Sequence, residues 1–308
     1  MTEDLVETAC ARLCLLTRIA WNEQLPPLLS RPAVHRLMKS GALSGVVLRE
    51  TPGIPSAIYE RAKTLLARAD DAFLQMKKYE KRGYRVLLPE EKYWPTALHK
   101  LSNQEPLFLF TKGTRELLNR KKVAVAGSRK IGYQTANVAA RLGRKIAEEK
   151  LAMVCGGAYG VDQSAQNALL DEGGVLILVP AVEADQICAR KREAEALKKK
   201  RMILVCETLP DMPFSAQKAL SRNHTIYAMG RAAIVVASRK GEGGSWHGAT
   251  DCLKGGFTPV YTIDETGRDY DGNRALIMEH HVKPLDLEKS MRRQLGIKNR
   301  ERRRTLCK

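Results

Sequence analysis

Eight short apolar runs punctuate the chain between Tyr84 and Ile263, and most of the segments between them carry the period of a helix. The runs are YRVLLP, LFLFTKG, VAVAG, LAMVCGG, GVLILVP, MILVCE, AAIVVAS and TPVYTI. They are continuous and rich in Val, Ile and Leu, without the alternation of a half-solvated strand. Strands of that kind are buried on both faces, as in a parallel sheet covered by helices. Helices are predicted over 133–149, 161–171, 187–200, 216–229 and 246–254. Strand–helix alternation implies right-handed crossovers. The expected fold over 84–288 is therefore α/β, with a doubly wound, mainly parallel, extended Rossmann-like sheet.

Residues 1–83 follow a helical period instead. ETACARLCLLTRIA is one amphipathic stretch, and PSAIYERAKTLLARADDAFLQMKKYEKRG is a longer one that Gly83 stops. Between them Pro26, Pro27, Pro32, Gly41, Gly45 and Gly53 break the region into short pieces. A small helical N-terminal module is predicted. Residues 289–308, KSMRRQLGIKNRERRRTLCK, have too few apolar side chains for a core of their own and read as a frayed helix or a basic arm.

The 308 residues carry 52 Lys and Arg against 34 Asp and Glu, a formal net charge of +18. From Lys289 onward nine cations face the single acid Glu301, so +8 sits in the tail and +10 elsewhere. A basic body favours polyanionic partners. No apolar run is long enough to span a membrane, and the acidic start MTEDLVE lacks the basic region of a secretory signal, so a cytoplasmic location without membrane attachment is expected. Seven scattered cysteines read as buried thiols in a reducing compartment. Cys10 and Cys14 are one helical turn apart, but no second pair completes a zinc site, so no metal and no cofactor are expected.

In an open parallel sheet ligands collect at the carboxyl ends of the strands. The first such exit reads Gly127-Ser128-Arg129-Lys130. Gly127 permits a tight turn, the following helix points its positive end at the exit, Ser128 adds a hydroxyl and Arg129 a forked cation. The second exit, Gly156-Gly157-Ala158-Tyr159-Gly160, precedes Asp162, which is read as a helix cap before any ligand-orienting role. A third candidate, Ser221-Arg222-Asn223-His224, lies in a helical stretch. The last exit is Gly241-Glu242-Gly243-Gly244-Ser245-Trp246-His247. None of these is a Walker loop or a GxGxxG dinucleotide fingerprint. Together they predict a backbone-lined anion trough. Tyr133, Tyr159 and Trp246 stand near loop glycines as possible stacking platforms, with core packing the equal alternative for Trp246.

The order of these motifs resembles the DNA-processing protein A family, also called DprA or Smf. The resemblance runs from about Ala72 to Ile263, through KRGYRVLLPEEKYWPTALHKLSNQEPLFLFTKG, VAVAGSR, CGGAYGVDQSAQNALL, SRNHTIYAMGRAAIVVAS and GGSWHGATDCLKGG. It implies a non-enzymatic protein that binds single-stranded DNA in a basic pocket at the strand exits, works as a homodimer and hands DNA to the recombinase RecA during transformation. It also implies that Arg129, beside Gly127 and Ser128, binds phosphate, and that Arg222 and Asn223 are the family's Arg-Asn pair. Ala219 and Leu220 stand where the family has Phe-Pro, His224 replaces a basic residue, and Gly248 replaces a Thr. With these departures the resemblance implies DNA binding more strongly than recombinase loading.

Two other readings share the fold. One is a phosphoribohydrolase-like nucleotide N-glycosidase. Its signature supplies a catalytic Glu, whereas GEGGSWHGATD offers only Asp251 downstream. The other is a nucleotide sensor, in which the same pocket binds and does not cut.

Overall fold

The structure is a computed structural model and describes residues 2–17, 26–181 and 183–298. Its strands are β1 (Leu43–Ser44), β2 (Val47–Leu48), β3 (Arg85–Leu87), β4 (Leu109–Gly113), β5 (Lys122–Ala126), β6 (Ala152–Cys155), β7 (Val175–Leu178), β8 (Met202–Cys206), β9 (Ala233–Val235), β10 (Val260–Thr262) and β11 (Lys283–Pro284). The α-helices before β5 are α1 (Glu3–Leu16), α2 (Arg31–Lys39), α3 (Ser56–Leu66) and α4 (Ala69–Lys81). Those after it are α5 (Tyr133–Glu148), α6 (Val161–Asp171), α7 (Ala184–Cys188), α8 (Lys191–Lys198), α9 (Ala216–Met229), α10 (Gly243–Gly255), α11 (Asp271–His280) and α12 (Met291–Gln294). The residues group into two compact units. The first is Met1–Asn119 with Ile177–Met229, and the second is Arg120–Leu176 with Gly230–Lys308, so the division falls within β7.

In the first unit, α1 opens with Glu3 and Asp4, which suit the positive end of a helix. Ser30 caps α2, accepting from Ala33 N at 3.4 Å, with Pro32 in the first turn. The long helix predicted up to Gly83 is two, α3 and α4, broken at Ala67 and Arg68; Arg68 pairs with Asp71 at 3.1 Å. Three strands follow in the order β8-β4-β3, all antiparallel, with Phe110 opposite both Val86 and Cys206. Continuous apolar runs report burial but not strand direction, so this local reversal was not legible in the sequence. The predicted helix over 187–200 is also two, α7 and α8, separated by Ala189 and Arg190.

A cluster of rings and charges ties the first unit's helices to its strands. Tyr79 and Phe110 meet edge-on with ring centroids 5.1 Å apart. Tyr79 donates to Asp211 (2.5 Å) and Tyr84 to Asp185 (2.6 Å). Arg82 bridges both carboxylates and lies 5.1 Å from the Tyr79 ring. Elsewhere in the unit the nearly buried Arg12 grips Glu90 with both terminal nitrogens and donates to Leu107 O at 2.9 Å. Burial pushes the Glu90 carboxyl up, but the Arg12 guanidinium outweighs it and holds the group below its ordinary range.

The second unit holds the parallel sheet, in the order β11-β10-β9-β5-β6. Every residue of β6, and all of β5 but Ala126, is buried. Helix α5 buries Val138, Ala139, Leu142 and Ile146 along one stripe, and α6 buries Val161, Ala165 and Leu169. Each such Leu or Ile contributes about 1.5–3 kcal/mol relative to exposure. The right-handed rule places α5 on one face of this sheet and α10 and α11 on the other.

The described half of the basic tail, up to Lys298, is not an arm. Met291 is fully buried and Ile297 nearly so. The Glu149 carboxylate accepts from Met291 N and Arg292 N, both at 2.7 Å, and Arg292 Nε donates to Glu149 O. Two apolar anchors and one carboxylate cap are enough to dock so short a segment. Residues 299–308, the other half of the predicted arm, lie outside the described residues.

Candidate nucleic-acid interface

Strand order fixes where a ligand can enter the second unit. From β5 the chain crosses to β6 on one side, while β9, β10 and β11 step away on the other. The order reverses between β5 and β9, and in open parallel sheets that reversal opens a crevice at the carboxyl ends. The two exits there are Gly127–Lys130 and Val236–Ser245, with Gly156–Gly160 beside them at the end of β6.

These three loops interlock through backbone. Ser128 N donates to Ala237 O at 2.9 Å, and Ser128 Oγ donates to the same oxygen at 3.2 Å. Val161 N donates to Ser128 O at 3.1 Å. Gly160 has φ +84°, and a Cβ there would stand 2.4 Å from Ser128 O. A Cβ on Gly127 would stand 2.4 Å from Val161 Cγ2. Glycine is required at both positions, by the left-handed backbone at Gly160 and by the close approach at Gly127. On the far side, the buried Asn273 of α11 donates to Val236 O and Ile263 O (2.9 Å each) and accepts from Ser238 Oγ at 2.8 Å, which braces the β9 exit.

The groups expected to face a ligand are largely committed to this bracing. Asp162 does not cap α6; its Oδ2 turns back and accepts from Gly156 N (3.0 Å) and Ala158 N (3.4 Å). Nor is the positive end of α5 left to an anion. Asp269 accepts from Gly132 N at 3.1 Å and from Thr135 Oγ1 at 2.9 Å. Both hydrogens of Ser128 go to Ala237 O. Gly127, Ser128, Gly156 and Gly157 are thus brought together as a scaffold. Of the expected row of outward amides, those of Ser128, Gly132, Gly156, Ala158 and Val161 are taken by intraprotein acceptors, as buried backbone donors generally are.

What the corner presents outward is side chains. Arg129 and Lys130 are exposed, while Tyr133 is 82% and Tyr159 72% exposed. Trp246 is not a platform. It is 8% exposed on α10, with its ring edge-on to His280 at 5.9 Å between centroids. Gly244 and Ser245 lie in the first turn of α10, whose N-cap residue Glu242 makes no side-chain cap. Asp251 is exposed on the same helix, seven residues past Gly244, about 10 Å along the axis.

Arg222 and Asn223 lie on α9, in the first unit. Arg222 is 7% exposed and lines a pocket of that unit. That pocket also holds Glu207 and Lys218, and Asp269 holds the α5 start; sequence reasoning missed all three. Glu207 directly follows β8, so the strand-exit rule was a signal for it. Asp269 is 137 residues from Gly132, and nothing local announces the pairing. Among the described residues no group of three or more His, Cys, Asp or Glu is placed to hold a metal, and no helix is long and apolar enough to cross a membrane. Cys10 and Cys14 are buried, and burial pushes their thiols up to about 11 and about 12.

The family described as DNA recombination-mediator protein A matches residues 85–293. Putative DNA processing proteins DprA from two strains of Mycobacterium tuberculosis are 29% identical over 225 residues, covering 68% of this chain and 57% of theirs. The DNA processing protein DprA of Streptococcus pneumoniae is 34% identical over 110 residues, 36% of this chain and 37% of that protein. The chain thus spans less than two thirds of the curated relatives it matches. Among solved structures, DprA from Streptococcus pneumoniae superposes with a TM-score of 0.61 at 23% identity, covering 83% of this chain and 95% of that one. DprA from Helicobacter pylori, described for its single-stranded DNA binding mode, gives 0.57 at 21% identity, covering 69% and 94%. At such identities these likenesses show the fold.

Proposed function

Because this chain belongs to the DNA recombination-mediator protein A family, we propose that it binds single-stranded DNA at the crevice between β5 and β9. One observation carries the reading: two exposed cations, Arg129 and Lys130, and two exposed rings, Tyr133 and Tyr159, on or beside the interlocked loops of the second unit. Cations follow the phosphates of a single strand, and rings stack its bases whatever the sequence. Gly127, Ser128, Gly156 and Gly157 hold the loops in place, Gly244 and Ser245 offer the start of α10, and Arg129 and Lys130 make the charged contacts. Arg222 and Asn223, which the family resemblance adds, lie in the other unit, and the proposal stands on the corner without them. The wider family reading, a homodimer that delivers DNA to the recombinase RecA, goes with this proposal and is tested by sedimentation and by a RecA-loading assay.

Binding without cleavage fits the corner better than glycosidic cleavage does. Asp162 is tied to loop amides, Asp269 to the start of α5, and Asp251 sits about two turns along α10 from Gly244. Supporting positive charge at an anomeric carbon requires a carboxylate held against the reacting atom, and the one acid of the exits themselves, Glu242, is exposed and makes no side-chain cap on α10.

The test is titration of oligo-dT. Affinity should fall as salt rises, with a slope of about 0.7 per phosphate neutralised. Arg129→Ala should weaken binding by about 1.5–3 kcal/mol, the range for a charged hydrogen-bonding group. Equal affinity in the variant and the parent removes Arg129, and with it this reading of the corner.

A further inference from the structure

The first unit has a pocket of its own, at the exit of β8. Cys206, Glu207 and Thr208 line it together with Pro180 and Ala181, and the space between them, about 500 Å³, is partly open to solvent. Its charged lining is three cations, Arg31, Lys218 and Arg222, and one carboxylate, Glu207.

Glu207 is the informative residue. Its side chain is 5% exposed, and Oε2 accepts from Arg31 Nη2 at 2.5 Å. Arg31 is held in turn by Gln104 O at 3.0 Å, so the pair is fixed in place. Glu207 Oε1 is buried and has no hydrogen-bond partner among the described residues. A carboxylate oxygen left that way is costly, and folded chains keep few of them. A ligand that brings an O–H or N–H removes the cost. Lys218 is half buried, and no carboxylate pairs with it among the described residues; burial lowers the pKa of its ammonium. A second anionic group is therefore wanted in the same space.

We propose that this pocket binds a free nucleoside monophosphate, with the phosphate against Lys218 and Arg222 and a donor of the nucleoside on Glu207 Oε1. Inorganic phosphate would satisfy the cations but would set its own charge against the carboxylate. A neutral nucleoside would satisfy Glu207 and leave Lys218 unpaired. Only a ligand with both parts answers both groups. A carboxylate at a strand exit is also where α/β sheets place the acceptor for a ribose hydroxyl.

Calorimetric titration of the full chain with AMP, dAMP, adenosine and inorganic phosphate tests this. AMP should bind, with adenosine and phosphate each at least about tenfold weaker. Glu207→Gln and Lys218→Ala should each weaken AMP about tenfold or more, with melting curves that show the variants folded. If Glu207→Gln fails to fold, the half-buried Lys218→Ala decides. AMP tighter than dAMP places the ribose 2′-hydroxyl on Glu207, and equal affinities place the 3′-hydroxyl or the base amine there; both support the site. No AMP binding at millimolar concentration overturns it, as does parental affinity in Lys218→Ala, or phosphate binding as well as AMP. None of these results bears on oligo-dT binding at the β5–β9 crevice, which is measured separately.

Discussion

The two units hold their parts by different means. In the first, helix α4 meets the strands through side chains: Tyr79, Arg82 and Tyr84 share Asp185 and Asp211, and Lys112 stands 3.5 Å from Asp185. In the second, the loops after β5, β6 and β9 meet backbone to backbone, through Ser128 and two glycines. A shared side-chain cluster has several partners for each group, so removing one leaves the others paired. A backbone interlock has no spare partner and no side chain to shorten. The corner proposed to grip DNA is therefore the brittle region, and the clamp under the N-terminal helices is the tolerant one.

Glycine substitutions should break the comparison most sharply. Gly160→Val meets the Ser128 carbonyl and forces a β-branched residue into φ +84°. Strain and overlap together should cost about 3–5 kcal/mol. Gly127→Ala should cost about 1–3 kcal/mol, and here the obstacle is a side chain. Adding Val161→Gly, which removes the β-carbon as well as both methyls, should therefore recover part of the loss in Gly127→Ala and none of it in Gly160→Val. Denaturant unfolding of these four variants and of the Val161 single variant measures this. Additive losses in the Gly127–Val161 pair would mean that the two residues do not press on each other.

Asp162→Ala comes next. It leaves Gly156 N and Ala158 N without their acceptor and should cost about 1–3 kcal/mol. If Asp162 were a surface charge with no structural duty, the loss would stay within about 0.5 kcal/mol.

How much of this was legible in the sequence follows from the range of each interaction. Apolar runs and helical periods located every strand from β3 to β10, and α6 and α9 begin and end where the periodicity put them. The corner itself was legible, because Gly127 and Gly160 announce tight backbone at strand exits. The fate of its amides was not. Ser128 N is taken by a carbonyl 109 positions away, and the α5 start by an aspartate 137 positions away. Helix α11 was passed over as well, although its Asn273 braces β9, because DGNRALIMEH opens with weak helix formers and buries only small residues and Leu276. Local pattern reports what a segment can become; which donor meets which acceptor is settled only when distant segments pack.

The smallest effects belong to the tolerant clamp. Arg82 and Asp185 are both partly exposed, so Arg82→Ala should cost no more than about 1 kcal/mol. Its pH dependence is more telling than its size. Burial pushes the Asp185 carboxyl up, but hydrogen bonds from Tyr84 and Arg82 and the charges of Arg82 and Lys112 outweigh it and hold the group below its ordinary range. A carboxyl lowered in the folded state adds stability above its unfolded value, about 3.9, and loses it as pH falls through the lower folded value. The stability gap between the parent and Asp185→Asn should thus be widest near neutral pH and close below about pH 4. A gap that stayed constant down to pH 2 would show that the cluster holds α4 by packing of the Tyr79, Tyr84 and Phe110 rings, with the charges as bystanders.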